Sequence, residues 1–409
     1  MNATCRSCGS SDLELILSLG DMPLANALLT EEQLGLPEAT YPLDLVFCPD
    51  CALLQITETV PPEAIFCDYP YLSSFSDTVV NNGRENVELM MSTRGLGRDS
   101  LVIEIGSNDG YLLQFYTAMG VPVLGIDPAA NIVPVAESER CVPTICDFFG
   151  ERLATQLRQE GRRADVIHAN NVFAHVADLN GLVAGMGIVL KPDGVIVIQV
   201  PYVRDLIENV EFDTIYHEHL CYFSVTALES LFRRHGLEIA DVERLPIHGG
   251  TLRVNVCHAG KGCPADSVQR LLVREAALGM YRVEFYRHFA AKVERLRETL
   301  RAMLKWLHGA GNHIVGYAAS AKGSTLLNYC GIGGDILDYV VDRSTVKQGR
   351  YTPGTHLRIE PPEKLLETMP DYALLLAWNH ADEILAREAE YRRLGGRFIV
   401  PVPEPRVHA

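Results

Sequence analysis

No stretch of this 409-residue chain approaches the roughly 18 consecutive apolar residues needed to cross a bilayer, so no membrane span is expected. The opening Met1-Asn2-Ala3-Thr4-Cys5 also lacks a basic region followed by an apolar run, which points away from a secretory leader and toward a cytoplasmic location. Positive charge is scarce. With 36 Lys and Arg against 52 Asp and Glu, the net charge is -16, and this argues against an extended nucleic-acid surface, which needs clustered cations facing phosphates. Any anionic ligand must be met by a local basic patch. Low-complexity segments are missing, and so is a complete G-x-G-x-x-G, the loop that lets backbone amides approach a dinucleotide pyrophosphate.

The length suggests two or three domains. In a reducing compartment 11 cysteines are not a disulfide framework, and their spacing becomes informative. Cys5-Arg6-Ser7-Cys8 and Cys48-Pro49-Asp50-Cys51 are two C-x2-C knuckles, the pattern of a tetrahedral thiolate site for zinc, with a redox pair or unrelated cysteines as the alternative. Four thiolates leave no open ligand position, so Cys5, Cys8, Cys48 and Cys51 are expected to hold a structural Zn2+ remote from catalysis. The segment between them should carry small strands that cross back to close the site. Residues 9–47 contain no Lys or Arg, which weakens the rival reading of a zinc ribbon that binds nucleic acid or a partner.

Leu101-Val102-Ile103-Glu104-Ile105 is an apolar strand running into the turn Gly106-Ser107-Asn108-Asp109-Gly110, followed by a helical stretch and a second strand, Val121 to Ile126, tipped by Asp127 and Pro128. Strand, glycine turn, helix and strand with an acid at its tip form a nucleoside-binding half-unit. The acids Glu104 and Asp109 would repel a pyrophosphate and suit a cationic ligand, which favours S-adenosylmethionine over NAD. A NAD(P)-dependent sugar-nucleotide oxidoreductase remains the rival enzyme. Asp147 and Phe148 follow a third short strand, where they could flank an adenine or serve as helix cap and core. Asn170, Asn171 and His175 follow a fourth, at the same sheet end as Gly106.

Val195 to Val200 reads as a buried parallel strand, and downstream of it lies Tyr216-His217-Glu218-His219-Leu220-Cys221-Tyr222. Two imidazoles, a carboxylate and two phenols within seven residues suit proton transfer: His as base near neutral pH, Glu to orient, Tyr to donate to a developing oxyanion. Either His217 or His219 has the right chemistry. Tyr202, at the end of the same strand, and Tyr69 and Tyr71, in a Pro-broken linker, are further candidates to line a ligand cavity. Apolar residues then recur at helical steps from Ser267 to Leu307 in one long helix or two, broken near Gly279. A second α/β unit begins at Ile314, with a strand from Asp335 to Val341 tipped by Asp342. Lys322 stands at the start of a helix, a natural phosphate seat, and Arg343, Lys347 and Arg350 supply the local basic patch.

Two C-x2-C knuckles, E-I-G-S-N-D-G, A-N-N-V-F-A-H and Y-H-E-H-L-C-Y-F-S, in this order, resemble the sugar C-methyltransferases of deoxysugar biosynthesis. The resemblance spans nearly the whole chain and continues through Leu245-Pro246-Ile247-His248-Gly249-Gly250 and Trp378-Asn379-His380. It implies an α/β protein of three parts: a small zinc-binding domain (1–68), a class I S-adenosylmethionine methyltransferase domain of Rossmann-like fold (69–245), and a second Rossmann-like α/β domain (246–409) that helps hold the sugar nucleotide. The implied substrate is a nucleotide-linked 4-keto-6-deoxyhexose, dTDP-linked by the resemblance, with a monomeric enzyme as the expected state. By resemblance His219 is the base, with Tyr216, Glu218 and His175 around the sugar ketone. Glu104, Gly106, Asn108, Asp109, Gly110, Asp127, Pro128, Asp147, Phe148, Asn170 and Asn171 would hold the cofactor. Tyr69, Tyr71, Tyr202, Tyr222, His248, Lys322, Lys347 and Arg350 would hold the substrate.

Overall fold

The computed structural model describes residues 3–67, 69, 71–247, 249–262 and 264–408. The expected substrate residue His248 lies outside the described residues. Between the cysteine knuckles the chain forms two antiparallel strands, β1 (Glu14–Pro23) and β2 (Thr40–Phe47), and after the second knuckle β3 (Leu54–Ile56) pairs antiparallel with β2. Leu43, Leu45 and Phe47 alternate inward along β2, the period-two pattern of a sheet with one buried face.

The middle of the chain builds a seven-stranded sheet from β4 (Val102–Ile105), β5 (Val123–Ile126), β6 (Thr144–Ile145), β7 (Ala164–Asn170), β8 (Leu190–Pro201), β10 (Leu237–Leu245) and β11 (Thr251–His258), in the order β10-β11-β8-β7-β4-β5-β6. Strands β4 to β8 run parallel, and β4 is buried at every position, as expected of a sheet covered on both faces. Strand β8 is parallel to β7 but antiparallel to β11 on its other side. The sheet therefore does not end at the expected boundary of 245 and 246. A short turn returns the chain from β10 into β11, whose Leu252, Val254 and Val256 are buried between β10 and β8.

Strand β9 (Cys221–Tyr222) leaves this sheet and becomes the fourth strand of the amino-terminal one, with Leu54 opposite Tyr222 and Gln55 opposite Cys221. The stretch expected to carry the chemistry is thus built into the zinc-binding sheet. The zinc-binding sheet and this stretch are therefore joined by backbone pairing.

The helical stretch after β11 is two helices, Asp266–Leu278 and Val283–Gly309, with Gly279 between them in the left-handed region at φ 74. The second buries Tyr286, Phe289, Val293, Leu296, Leu300, Leu304 and Leu307 at three- and four-residue steps and packs against both β1 and the helix Ala321–Cys330. It ties the first domain to the last. The carboxyl-terminal sheet contains β12 (Ile314–Tyr317), β13 (Val340–Val341), β14 (Ile359–Glu360), β15 (Tyr372–Leu375), β16 (Arg397–Val400) and β17 (Arg406–His408), all parallel except β17. Strand β13 is far shorter than the expected 335–341. One apolar core runs from Cys5 to Val402 through all three parts, so their surfaces meet in packed contact.

Candidate active site

At the carboxyl ends of β4, β5 and β7, where open α/β sheets place their ligands, the chain encloses a cavity of about 440 Å³. Gly106, Asn108, Asp127, Pro128, Asp147, Phe148, Asn170 and Asn171 line it, and the linker closes it with Tyr69 and Tyr71. Gly106 sits at φ 66, and a Cβ there would come within 2.6 Å of a Val172 methyl, so the turn demands glycine on both conformational and steric grounds. The Asn108 backbone N–H donates to Asp127 Oδ2 at 2.8 Å, while its side chain accepts from Ser73 N and donates to Tyr71 O, pinning the linker over the cavity. Asn108 thereby organises the wall as well as lining it.

Three expected cofactor residues stand behind that wall. Gly110 makes the turn. Asp109 is buried, 3.4 Å from the Arg140 guanidinium, and accepts from Ser74 N. Glu104 is fully buried, with the Tyr111 hydroxyl near it but no well-formed hydrogen bond to either oxygen among the described residues, and burial, then Asp127 and Asp109, push its carboxyl well above the usual range. Asn170 Oδ1 is likewise buried without a partner. Buried acids with unmet capacity behind a cavity fit a ligand that carries positive charge, as S-adenosylmethionine does through its sulfonium and ammonium groups. Tyr111, which lines the cavity and receives a 3.3 Å hydrogen bond from Asn170 Nδ2, was not legible beforehand because it reads as an ordinary helix-start aromatic.

His175 lines the same cavity and joins it to the proton-transfer cluster, its ring centroid 4.9 Å from that of His219. His219 Nδ1 lies 2.8 Å from the Thr214 carbonyl, an acceptor only, so Nδ1 carries the proton and donates. The Nε2 lone pair therefore accepts from the Tyr216 hydroxyl at 3.0 Å. Burial, with His175 nearby, lowers the His219 pKa to about 3, and burial lowers that of His175 to about 4; both rings are neutral at pH 7. His217 points the other way. Its Nε2 is 3.2 Å from the Pro42 carbonyl and its ring meets Tyr41 edge-on, both on β2. Of the two rings, His219 is the one that meets His175, which lines the cofactor cavity.

Glu218 accepts from Asn26 Nδ2 at 2.6 Å. Tyr202 is not brought to the cluster, since it is buried and its hydroxyl donates to Glu275 Oε1 at 2.9 Å. Tyr222 is buried in β9 with Tyr216 beside it. Lys322 holds its ammonium 5.0 Å from the centre of the Trp378 ring, and the indole N–H donates to Asp213 Oδ2 at 2.6 Å. Its charge also acts on Glu211, Asp213 and His219. Lys347 Nζ donates to the Ala319 carbonyl, 3.9 Å from Asp342, while Arg343 and Arg350 are exposed. Asp213 and Asn26 were missed because their partners lie 165 and 192 residues away.

Cys5 and Cys51 sulfurs stand 3.4 Å apart, Cys8 and Cys48 3.5 Å, and all four lie within 4.8 Å of one another. Zinc with Zn–S of about 2.3 Å requires S–S separations of about 3.8 Å, so the donor set fits a structural zinc ion.

Three family models match in sequence: a zinc binding domain over residues 5–66, a methyltransferase domain over 84–242, and a C-methyltransferase C-terminal domain over 246–403. Over 404 residues the chain is 37% identical to the C-methyltransferase NovU of Streptomyces niveus, covering 98% of this chain and 96% of that one. The chain belongs to the sugar C-methyltransferase family. Similarity of this sugar C-methyltransferase to a ubiquinone biosynthesis O-methyltransferase of Azorhizobium caulinodans is 29% over 97 residues, 24% of this chain and 38% of that one. Among solved structures, magnesium protoporphyrin IX methyltransferase from Synechocystis with bound S-adenosylmethionine is 14% identical with a TM-score of 0.34, covering 45% of this chain and 82% of that one. As a sugar C-methyltransferase the protein uses S-adenosylmethionine, for which its cavity is suited, and carries a structural zinc.

Proposed function

We propose that the enzyme methylates a carbon next to the ketone of a dTDP-linked 4-keto-6-deoxy sugar through an enolate, as a cytoplasmic monomer. The arrangement of His219 is the observation that carries this reading. An oxygen or nitrogen nucleophile already has a lone pair, whereas a carbon beside a ketone must first lose a proton, and that requires a base and an oxyanion partner. Thr214 fixes the His219 tautomer, so the lone pair of Nε2 is the one available to take that proton. As the sugar enters, the Tyr216 hydroxyl leaves Nε2 and donates to the ketone oxygen, where negative charge develops. Build-up of that charge beside the ring raises the basicity of an imidazole that burial has made weak. His175, between the ring and the cofactor cavity, keeps the reacting carbon on the side facing the donor. Bound S-adenosylmethionine supplies an activated methyl group, and its binding residues are Asp127, Asn108, Asp147, Phe148, Asn170 and Asn171 with Glu104 behind them.

The division of labour proposed is zinc-binding domain 1–68, methyltransferase domain 69–245 with β11 completing its sheet, and sugar-nucleotide domain to 409. Lys322 lies at the sugar-proximal end and Lys347 and Arg350 farther along the nucleotide. Incubation with S-adenosylmethionine and a panel of nucleotide-linked 4-keto sugars should give a product heavier by one methylene, with the new methyl located on carbon by proton NMR. A methyl found on oxygen or nitrogen would refute the enolate route.

A further inference from the structure

The zinc-binding domain reaches the active site with one polar side chain, Asn26, and its placement is specific. After β1 ends at Pro23 the chain makes a tight turn, with Ala27 N–H on Leu24 O and Leu28 N–H on Asn26 O. Leu29 then pairs antiparallel with Tyr351 of the carboxyl-terminal domain, each backbone N–H meeting the other's carbonyl at 3.0 and 2.9 Å. Farther along the same connection, Glu38 accepts from Gly354 N and contacts His356 Nε2. The turn is therefore held at both ends, and from its tip the Asn26 amide donates to Glu218 Oε1 at 2.6 Å. The other oxygen, Oε2, has no hydrogen-bond partner among the described residues.

We infer that Asn26 is a positioning residue of the active site, fixing the Glu218 carboxyl group so that one oxygen is tied and the other is presented to a hydroxyl or ammonium donor of the substrate. This rests on the proposed sugar substrate for what Oε2 receives, but not for what Asn26 does to Glu218. Burial alone raises the Glu218 pKa, and the Asn26 hydrogen bond opposes that rise by favouring the charged form. The other titratable groups around Glu218 are Tyr69 from the linker, Tyr216 from the same loop and His175 beside its carbonyl. Both phenols are pushed up by burial and His175 is pushed down, so all three are neutral near pH 7 and none supplies the counter-charge. Asn26 is the one group named here that stabilises the carboxylate. An acceptor held in this way favours substrates with a donor on a ring carbon near the ketone.

The test is carbon-13 NMR titration of the full-length, zinc-loaded enzyme labelled in its glutamate carboxyls, with Glu218→Gln to assign the signal, in Asn26→Ala and Asn26→Asp. Loss of the donor in Asn26→Ala should raise the Glu218 pKa by about one unit, and Asn26→Asp should raise it further by adding a like charge. The acid limb of kcat/KM should move upward by the same amount, with a roughly fivefold loss at its midpoint in the wild-type enzyme, approaching tenfold at lower pH. S-adenosylmethionine affinity, zinc content and melting temperature should stay at wild-type values, which separates positioning from a folding role. A Glu218 signal that titrates at the wild-type pH in both variants overturns the inference. Because that titration needs no substrate, a wild-type enzyme that converts none of the keto sugars while Glu218 still responds to Asn26 would refute the sugar reading and leave the positioning role standing.

Discussion

Gln55 of the zinc-binding sheet pairs backbone to backbone with Cys221, two residues beyond His219, the proposed base. A metal site that closes the first of these strands onto the knuckles thereby supports the second. Cys48→Ser, or removal of zinc by a chelator, should abolish the one zinc per chain measured by elemental analysis and lower the melting temperature. It should also reduce kcat in the protein that remains folded, because β9 and the turn carrying Asn26 both lean on that sheet. A zinc-free folded enzyme with wild-type kcat would show the two to be uncoupled.

The opposite directions of His217 and His219 separate their roles. With S-adenosylhomocysteine in place of the donor, the wild-type enzyme in heavy water should exchange the proton alpha to the sugar ketone for deuterium. His219→Asn should lose exchange and methylation by at least about a hundredfold, in line with removal of a general base, while still binding both ligands. His217→Asn loses only contacts to Pro42 and Tyr41 and should keep measurable turnover. Wild-type methylation by His219→Asn would place the base elsewhere.

Lys322 stands among Trp378, Asp213 and Glu211, and we propose that it meets the sugar nucleotide. Lys322→Ala should raise KM for the sugar nucleotide by roughly tenfold or more, the value of one charge-assisted hydrogen bond. Affinity for S-adenosylmethionine, measured by calorimetry, should not change. Equal KM values in variant and wild type would remove Lys322 from the substrate site.

His219 has a folded-state pKa of about 3, below its ordinary 6.5, so the unfolded chain binds the proton more readily. Its contribution to stability is therefore complete above pH 6.5 and is lost as pH falls toward 3. Between pH 6 and 4, wild-type stability in urea should fall by roughly 1 kcal/mol per pH unit more than that of His219→Asn, which has no such proton to take up. Parallel pH profiles for the two proteins would show that His219 titrates normally in the folded state.

What the sequence by itself determined is local in origin. Matched C-x2-C spacings, a strand running into Gly106 at a position that excludes a Cβ, and an acid at the tip of the next strand each depend on a few neighbouring residues, so zinc, cofactor cavity and α/β architecture were legible. The tertiary structure decided whatever depended on direction and on partners far away in the chain. Side chains two apart in one loop face opposite ways, which separated His217 from His219, and no motif records which way a loop turns. The two-residue strand β9 is too short to show periodicity, and it exists because β3 offers it unpaired backbone groups. Asn26 with Glu218 and Asp213 with Trp378 join residues 192 and 165 positions apart, and only the packing of three domains around one core brings them within hydrogen-bond distance.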